Sequence, residues 1–155
     1  MEASIVCVLE NPEDLFNVGS IIRSMSAFGI YQLCLITENK DWQQCFEGSA
    51  EAKFGQKHTA SQKIAKQLKK LSVGATSVVN VKCFNTTINC VEYLKSYAYV
   101  SYATSSHLES NVVYDVDFSM SGKIAIWFGT EKTGLSTEAL SHCISCVQLP
   151  MSKST

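Results

Sequence analysis

No run of apolar residues in this 155-residue chain approaches the roughly 20 that a membrane span requires, so no spanning helix is expected. The first residues, Met1-Glu-Ala-Ser-Ile-Val6, lack the basic start of a secretory or transit peptide. No linker-like, repetitive or low-complexity stretch interrupts the chain, and one domain over residues 1–155 is predicted. Charge of neither sign dominates: 13 Lys and Arg stand against 14 Asp and Glu, a formal net charge of −1. That balance excludes a global attraction to nucleic acid. These absences leave a cytoplasmic enzyme or binding domain, long enough to bury roughly two thirds of its unfolded surface.

Two further classes lack their chemistry. The seven cysteines are odd in number and scattered; Cys7 and Cys34 fall in apolar runs, where a reduced thiol acts as a small hydrophobe. Cys143-Ile-Ser-Cys146 has redox or zinc spacing, but neither a second Cys-x-x-Cys nor paired histidines complete a site, so no metal is expected. Gly129-x-x-x-x-Gly134-Leu135-Ser136 is one residue away from a phosphate-binding P-loop, with Leu135 where the phosphate-contacting lysine belongs. With no convincing acidic strand end to hold magnesium, nucleotide hydrolysis is set aside.

What is present is an alternation of strands and helices. Ser4–Leu9 reads as a buried strand, and Asn17 can cap a helix from about Val18 to Phe28 with Val18, Ile21, Ile22, Met25 and Phe28 on one apolar face. Gly29 closes that helix where a left-handed residue is usual. Strands follow at Tyr31–Ile36, Ser77–Phe84, Tyr97–Ala103, Lys123–Phe128 and Cys146–Leu149, with short helices around Cys90–Leu94 and Ser136–His142. This order predicts an α/β domain, a mostly parallel sheet with helices on both faces. Lys53, Lys57, Lys63, Lys66, Lys69 and Lys70 occupy an 18-residue window free of acidic residues. Ile64, Leu68 and Leu71 recur there at i, i+4, i+7, so an amphipathic helix would turn lysines outward. Such a face either is merely solvated or follows phosphates electrostatically.

Two polar, glycine-bearing turns leave apolar strands, which is where an α/β protein builds a site. In the first, Asn17 and Arg23 flank a helix start. Arg23 stands among Ser20, Ser24 and Ala27, away from the apolar face, and suits a phosphate or carboxylate; the alternative is a surface ion pair with Glu10 or Glu13. In the second, Glu131 is the one carboxylate of a tight turn whose backbone can hold a polar heterocycle, with Phe128 and Leu135 expected as its apolar wall.

Asn17-Val-Gly19-Ser-Ile-Ile-Arg23 with Ala27-Phe28-Gly29 resembles the first motif of the SpoU/TrmH-type RNA 2′-O-ribose methyltransferases of the SPOUT superfamily. Phe128-Gly129-x-Glu131-x-x-Gly134-Leu135-Ser136 resembles their second motif, and Leu149-Pro150-Met151 the opening of their third. The three stand in the family's order. The resemblance implies a SPOUT-type α/β fold with a C-terminal trefoil knot, S-adenosylmethionine as cofactor, a homodimer, and transfer of a methyl group to a ribose 2′-hydroxyl of RNA, tRNA above all. By the same likeness Asn17, Arg23 and Glu131 take the catalytic positions, and Tyr102, Thr104, Gly129 and Leu149 hold the cofactor. Lys53, Lys57, Lys63 and Lys66 are the expected RNA contacts. A non-catalytic RNA-binding or assembly protein that keeps the fold is the competing reading.

The chain stops at Ser152-Lys-Ser-Thr155, before the serine- and asparagine-bearing loop and the helix that follow in the family. The resemblance therefore implies truncation within the third motif, an incomplete knot, and weak or absent cofactor binding by these 155 residues where a longer form is active.

Overall fold

A computed structural model describes residues 4–47, 59–105, 111–119 and 121–152. Its strands are β1 (Ser4–Glu10), β2 (Gln32–Ile36), β3 (Asn80–Phe84), β4 (Val100–Thr104), β5 (Asn111–Val112), β6 (Lys123–Phe128) and β7 (Ser145–Gln148). The helices are α1 (Leu15–Ala27), α2 (Lys40–Glu47), α3 (Ala60–Leu71), α4 (Thr87–Ser96) and α5 (Thr137–Ser141). The strands form one sheet in the order β3-β2-β1-β6-β4-β7-β5, and every adjacent pair is parallel. The α/β class with a parallel sheet is as the alternation of elements predicts.

Alternation along the strands divides the core. Val6 and Val8 of β1, with Ala125 and Trp127 of β6, face α4 and α5 through Cys90, Val91, Leu94 and Ala139. Cys7 and Leu9 face the other way, against Val18, Ile22 and Met25 of α1, Trp42 of α2 and Leu68 of α3. Gly19 lets α1 approach the end of α3: a Cβ there would lie 2.7 Å from Leu71 Cβ. Tyr102, Ile124 and Val147 form a smaller cluster with Phe118 and Ile126 on the part of that face toward β7.

Several boundaries differ from expectation. Helix α1 begins three residues before Val18, because Asp14 takes the cap and accepts from Phe16 N–H at 2.8 Å. Aspartate is as good an N-cap as asparagine, and Asn17 falls inside the first turn with its side chain free for other work. Helix α4 is longer than Cys90–Leu94, since Thr86 accepts from Asn89 N–H and fixes the start before Thr87. Helix α2 was not expected; Asn39 caps it, accepting from Asp41 and Trp42 N–H at 3.0 and 3.1 Å, and Trp42 is buried. The lysine-rich helix is there as α3, with Leu68 buried and Lys63, Lys66, Lys69 and Lys70 exposed. Lys53 and Lys57 lie outside the described residues.

All seven cysteines are free thiols. Burial raises Cys7 to about 11 and both Cys83 and Cys143 to about 12 from an ordinary value of 9.0; nearby thiols add to each shift, as do the Glu47 carboxylate at Cys83 and Glu10 at Cys143. Above pH about 9 the unfolded chain releases these protons while the native protein keeps them. The thiol contribution to stability is therefore fully present below about pH 9 and is lost as pH rises toward about 12. Thermal melts should show Tm falling from about pH 8 to about pH 10.5, with a shallower fall in Cys83→Ala; identical slopes in the two proteins would contradict this origin.

Candidate active site

The site lies where the chain leaves β1 and β6. These strands pair from Ser4 with Lys123 to Leu9 with Phe128, then depart in opposite senses, β1 toward α1 and β2, β6 toward α5 and β7. Such a divergence opens a crevice beyond the carboxyl ends of the strands.

After β1, Asn11 takes a left-handed conformation (φ 49°), an accessible one for asparagine. Its N–H donates to Ile36 O at 2.8 Å, turning the chain toward the Asp14 cap. Asn17 thus sits on the first turn of α1, half-buried.

After β6, residues Gly129–Ser136 fold back on themselves. Gly134 N–H donates to Thr130 O at 2.9 Å. Thr133 N–H donates to Thr130 Oγ1 at 3.1 Å, and the two threonine hydroxyls lie 2.7 Å apart. Gly134 has φ +67°, and a Cβ on Gly129 would lie 2.1 Å from Gly134 C and 2.3 Å from Leu135 N. Backbone meets backbone here, and only glycine fits at 129. Leu135 does not wall the turn as expected. It is buried with Val6, Trp127 and Ala139, anchoring the loop in the core, which explains an apolar residue where a P-loop carries lysine.

The two turns meet: Asn17 Nδ2 donates to Glu131 Oε1 at 3.3 Å, across 114 residues of sequence. This places the Glu131 carboxylate by the first turn of α1, where unpaired N–H groups favour negative charge. Residues Phe128–Lys132 form a partition between two cavities. On one side is a space of about 720 Å³ over the exposed part of the β6, β4 and β7 face, with Ile124, Ile126, Phe128, Val147 and Leu149 as apolar walls and Thr104, Ser105 and the loop as polar ones. On the other is a space of about 560 Å³ bounded by Glu10, Glu13, Asp14, Asn17 and Ser20.

The expected residues distribute unevenly over this geometry. Thr104, Gly129 and Leu149 line the larger cavity and Glu131 lines both; Thr104 Oγ1 is fixed by donating to Trp127 O at 2.7 Å. Tyr102 lies beneath, buried, its ring 4.9 Å from Phe118 and its hydroxyl 2.9 Å from Ser121 Oγ. Arg23 is exposed and lines neither cavity. On α1 it stands about 120° around from Asn17 and about 9 Å further along. Its expected alternative partner Glu10 is unavailable, being buried and bonded to Thr87 and Ser136. Sequence reasoning missed that role of Glu10; a charge at the end of an otherwise apolar strand is the signal that marks it. Among the described residues no group of three or more His, Cys, Asp or Glu side chains is placed to hold a metal.

The larger cavity suits S-adenosylmethionine: its size is ordinary for a small-molecule site, loop backbone can face a heterocycle, and the Glu131 carboxylate complements a sulfonium charge.

The profile of the SpoU rRNA Methylase family matches residues 45–155. Over 81 residues the chain is 32% identical to the tRNA (guanosine(18)-2′-O)-methyltransferase of Borreliella burgdorferi, covering 52% of this chain and 36% of that protein. Over 139 residues it is 25% identical to an uncharacterized tRNA/rRNA methyltransferase of Haemophilus influenzae, covering 86% and 48%. It spans half the length or less of these curated relatives. Among solved structures, the SpoU methyltransferase AviRb from Streptomyces viridochromogenes in complex with AdoMet superposes with a TM-score of 0.73 at 20% identity, over 99% of this chain and 53% of that one. That likeness shows a shared fold.

The close approach at Gly129 gives a direct test of the loop. Gly129→Ala should destabilise the protein by about 3 kcal/mol or more, because backbone atoms must move. Urea denaturation checks this, and a loss below about 1 kcal/mol would mean the loop is not closed as described.

Proposed function

We propose, from the premise that this chain belongs to the SpoU rRNA methylase family, that it transfers the methyl group of S-adenosylmethionine to a ribose 2′-hydroxyl of RNA, with tRNA as the substrate class. The contact between Asn17 and Glu131 carries this reading, since it joins the two motif turns beside a cavity fit for the cofactor. The cofactor, when bound, supplies an already activated methyl group. The chain's own task is to place the 2′-oxygen and to hold the group that takes its proton.

Loop 129–134 and Leu149, with Thr104, bind the cofactor against the apolar face of β6. Glu131 sets the wall between that cavity and the outer one, and Asn17 holds Glu131 while leaving its own amide oxygen to orient the substrate. Arg23, exposed on α1 and lining neither cavity, serves as a phosphate contact. A guanidinium stays protonated near neutrality and is a poor base, so its role is to hold an RNA phosphate whose oxygen takes the 2′-proton, or to stabilise the developing alkoxide. Lys63 and Lys66, exposed on α3, extend the track for RNA; we assign the same role to Lys53 and Lys57.

The finer features follow from the same reading. Strand β7 lies between β4 and β5 although it follows both in sequence, an arrangement that supports a threaded, knotted C-terminal region. Exposed Leu149 and Met151 support burial against a second copy in a homodimer. We place the protein in the cytoplasm with its RNA.

Incubation of bulk tRNA with a tritium-methylated cofactor tests the proposal. Label should appear in alkali-resistant dinucleotides, the mark of a blocked 2′-oxygen, and kcat should fall by about 10²-fold or more in Arg23→Lys. Full turnover in Arg23→Lys would remove both guanidinium roles. RNA binding with no label at all would leave an RNA-binding protein that keeps the fold.

A further inference from the structure

Among the described residues Glu10 is the one Asp, Glu, Lys or Arg side chain that is buried, at 4% exposure. Its Oε1 accepts from Ser136 N–H at 2.7 Å, and its Oε2 accepts from Ser136 Oγ at 2.8 Å and Thr87 Oγ1 at 2.5 Å. Packing alone gives no reason for a carboxylate at this place. Taking a charge out of water costs several kcal/mol unless its oxygens are well satisfied, and an apolar residue would fill the space without that cost.

The bonds point to what the charge does. Ser136 ends the glycine loop and caps α5, where its Oγ accepts from Ala139 N–H at 3.1 Å. Its hydroxyl proton goes to Glu10 and a lone pair to the helix, so its orientation is fixed from both sides. Glu10 is also the last residue of β1, from which the chain turns to Asn17. One carboxylate therefore ties the end of the β6 loop to the strand that delivers Asn17.

We infer that Glu10 is a positioning residue that sets the loop 129–136 against the start of α1, and through it the cofactor cavity and the distance from Asn17 to Glu131. Its effect on cofactor binding rests on the methyltransferase reading; its effect on the loop does not. All three of its partners donate to a charged acceptor; a glutamine keeps an oxygen for Ser136 N–H but makes the Ser136 and Thr87 hydroxyls turn round to accept from its NH2, in neutral bonds. Glu10→Gln thus weakens the loop-side bonding and turns the Ser136 hydroxyl, whereas Thr87→Val removes only the bond on the α4 side.

Hydrogen exchange and calorimetry with S-adenosylmethionine on the full chain and its variants separate the possibilities. Glu10→Gln should speed exchange of amides in residues 129–136 at least tenfold and weaken cofactor binding at least tenfold. Thr87→Val should leave both within about twofold of the original protein while lowering Tm. If Glu10→Gln does not fold, Ser136→Ala and Ser136→Thr serve instead, alanine loosening the loop and threonine, which keeps the hydroxyl, restoring it. Loop exchange unchanged in Glu10→Gln, or equally raised in Thr87→Val, would overturn the inference. An unaltered chain that binds no cofactor would agree with the weak or absent binding that the resemblance implies for these 155 residues, and the exchange result alone would then decide the inference.

Discussion

The side-by-side, parallel pairing of β1 and β6 is the constraint on which the rest of the site depends. Parallel neighbours end at the same edge of the sheet, so the turns that follow them must share space. Because one chain then runs toward α1 and the other toward α5, the shared space opens as a crevice. Asn17 and Glu131, 114 residues apart, come within 3.3 Å of each other by this route alone. A single loop then serves as wall for two spaces of different character, one largely apolar and one bordered by carboxylates. An enzyme that must bring a small cofactor and a polymer to one bond has use for such a wall.

The stability of that wall comes from backbone fit and buried side chains acting together. Gly129 permits contact with Gly134 and Leu135 at distances no other residue allows. Leu135 then roots the loop in the core beside Trp127 and Ala139. Glu10 closes the far end through Ser136. The exposed residues Glu131 and Lys132 are carried on this frame, and the bond from Asn17 then orients the Glu131 carboxylate.

Much of this was legible in the residues. Apolar runs bounded by turns located six of the seven described strands, and the motif pair located the two turns that meet at Asn17 and Glu131, because glycine, asparagine and carboxylate requirements are local. What escaped was decided elsewhere. The start of α1 was misplaced because Asp14 and Asn17 are equivalent caps by composition, and only the geometry beyond Asn11 selects Asp14. Strand β5 is two residues long, too short for any period. Leu135 was read as a cavity wall because nothing in its neighbours says that the loop dips inward. Glu10 enters the sequence reading only as an alternative partner for Arg23, because its three donors come from positions 87 and 136, distant in sequence.

The central claim is that the β6 loop forms the cofactor's wall. The most direct measurement is a crystal structure of the protein soaked with S-adenosylhomocysteine, the demethylated cofactor. Density for the ligand in the cavity bounded by Thr104, Gly129 and Leu149, with its sulfur on the Glu131 side, is the predicted result. Ligand seated away from Gly129–Gly134 would contradict it.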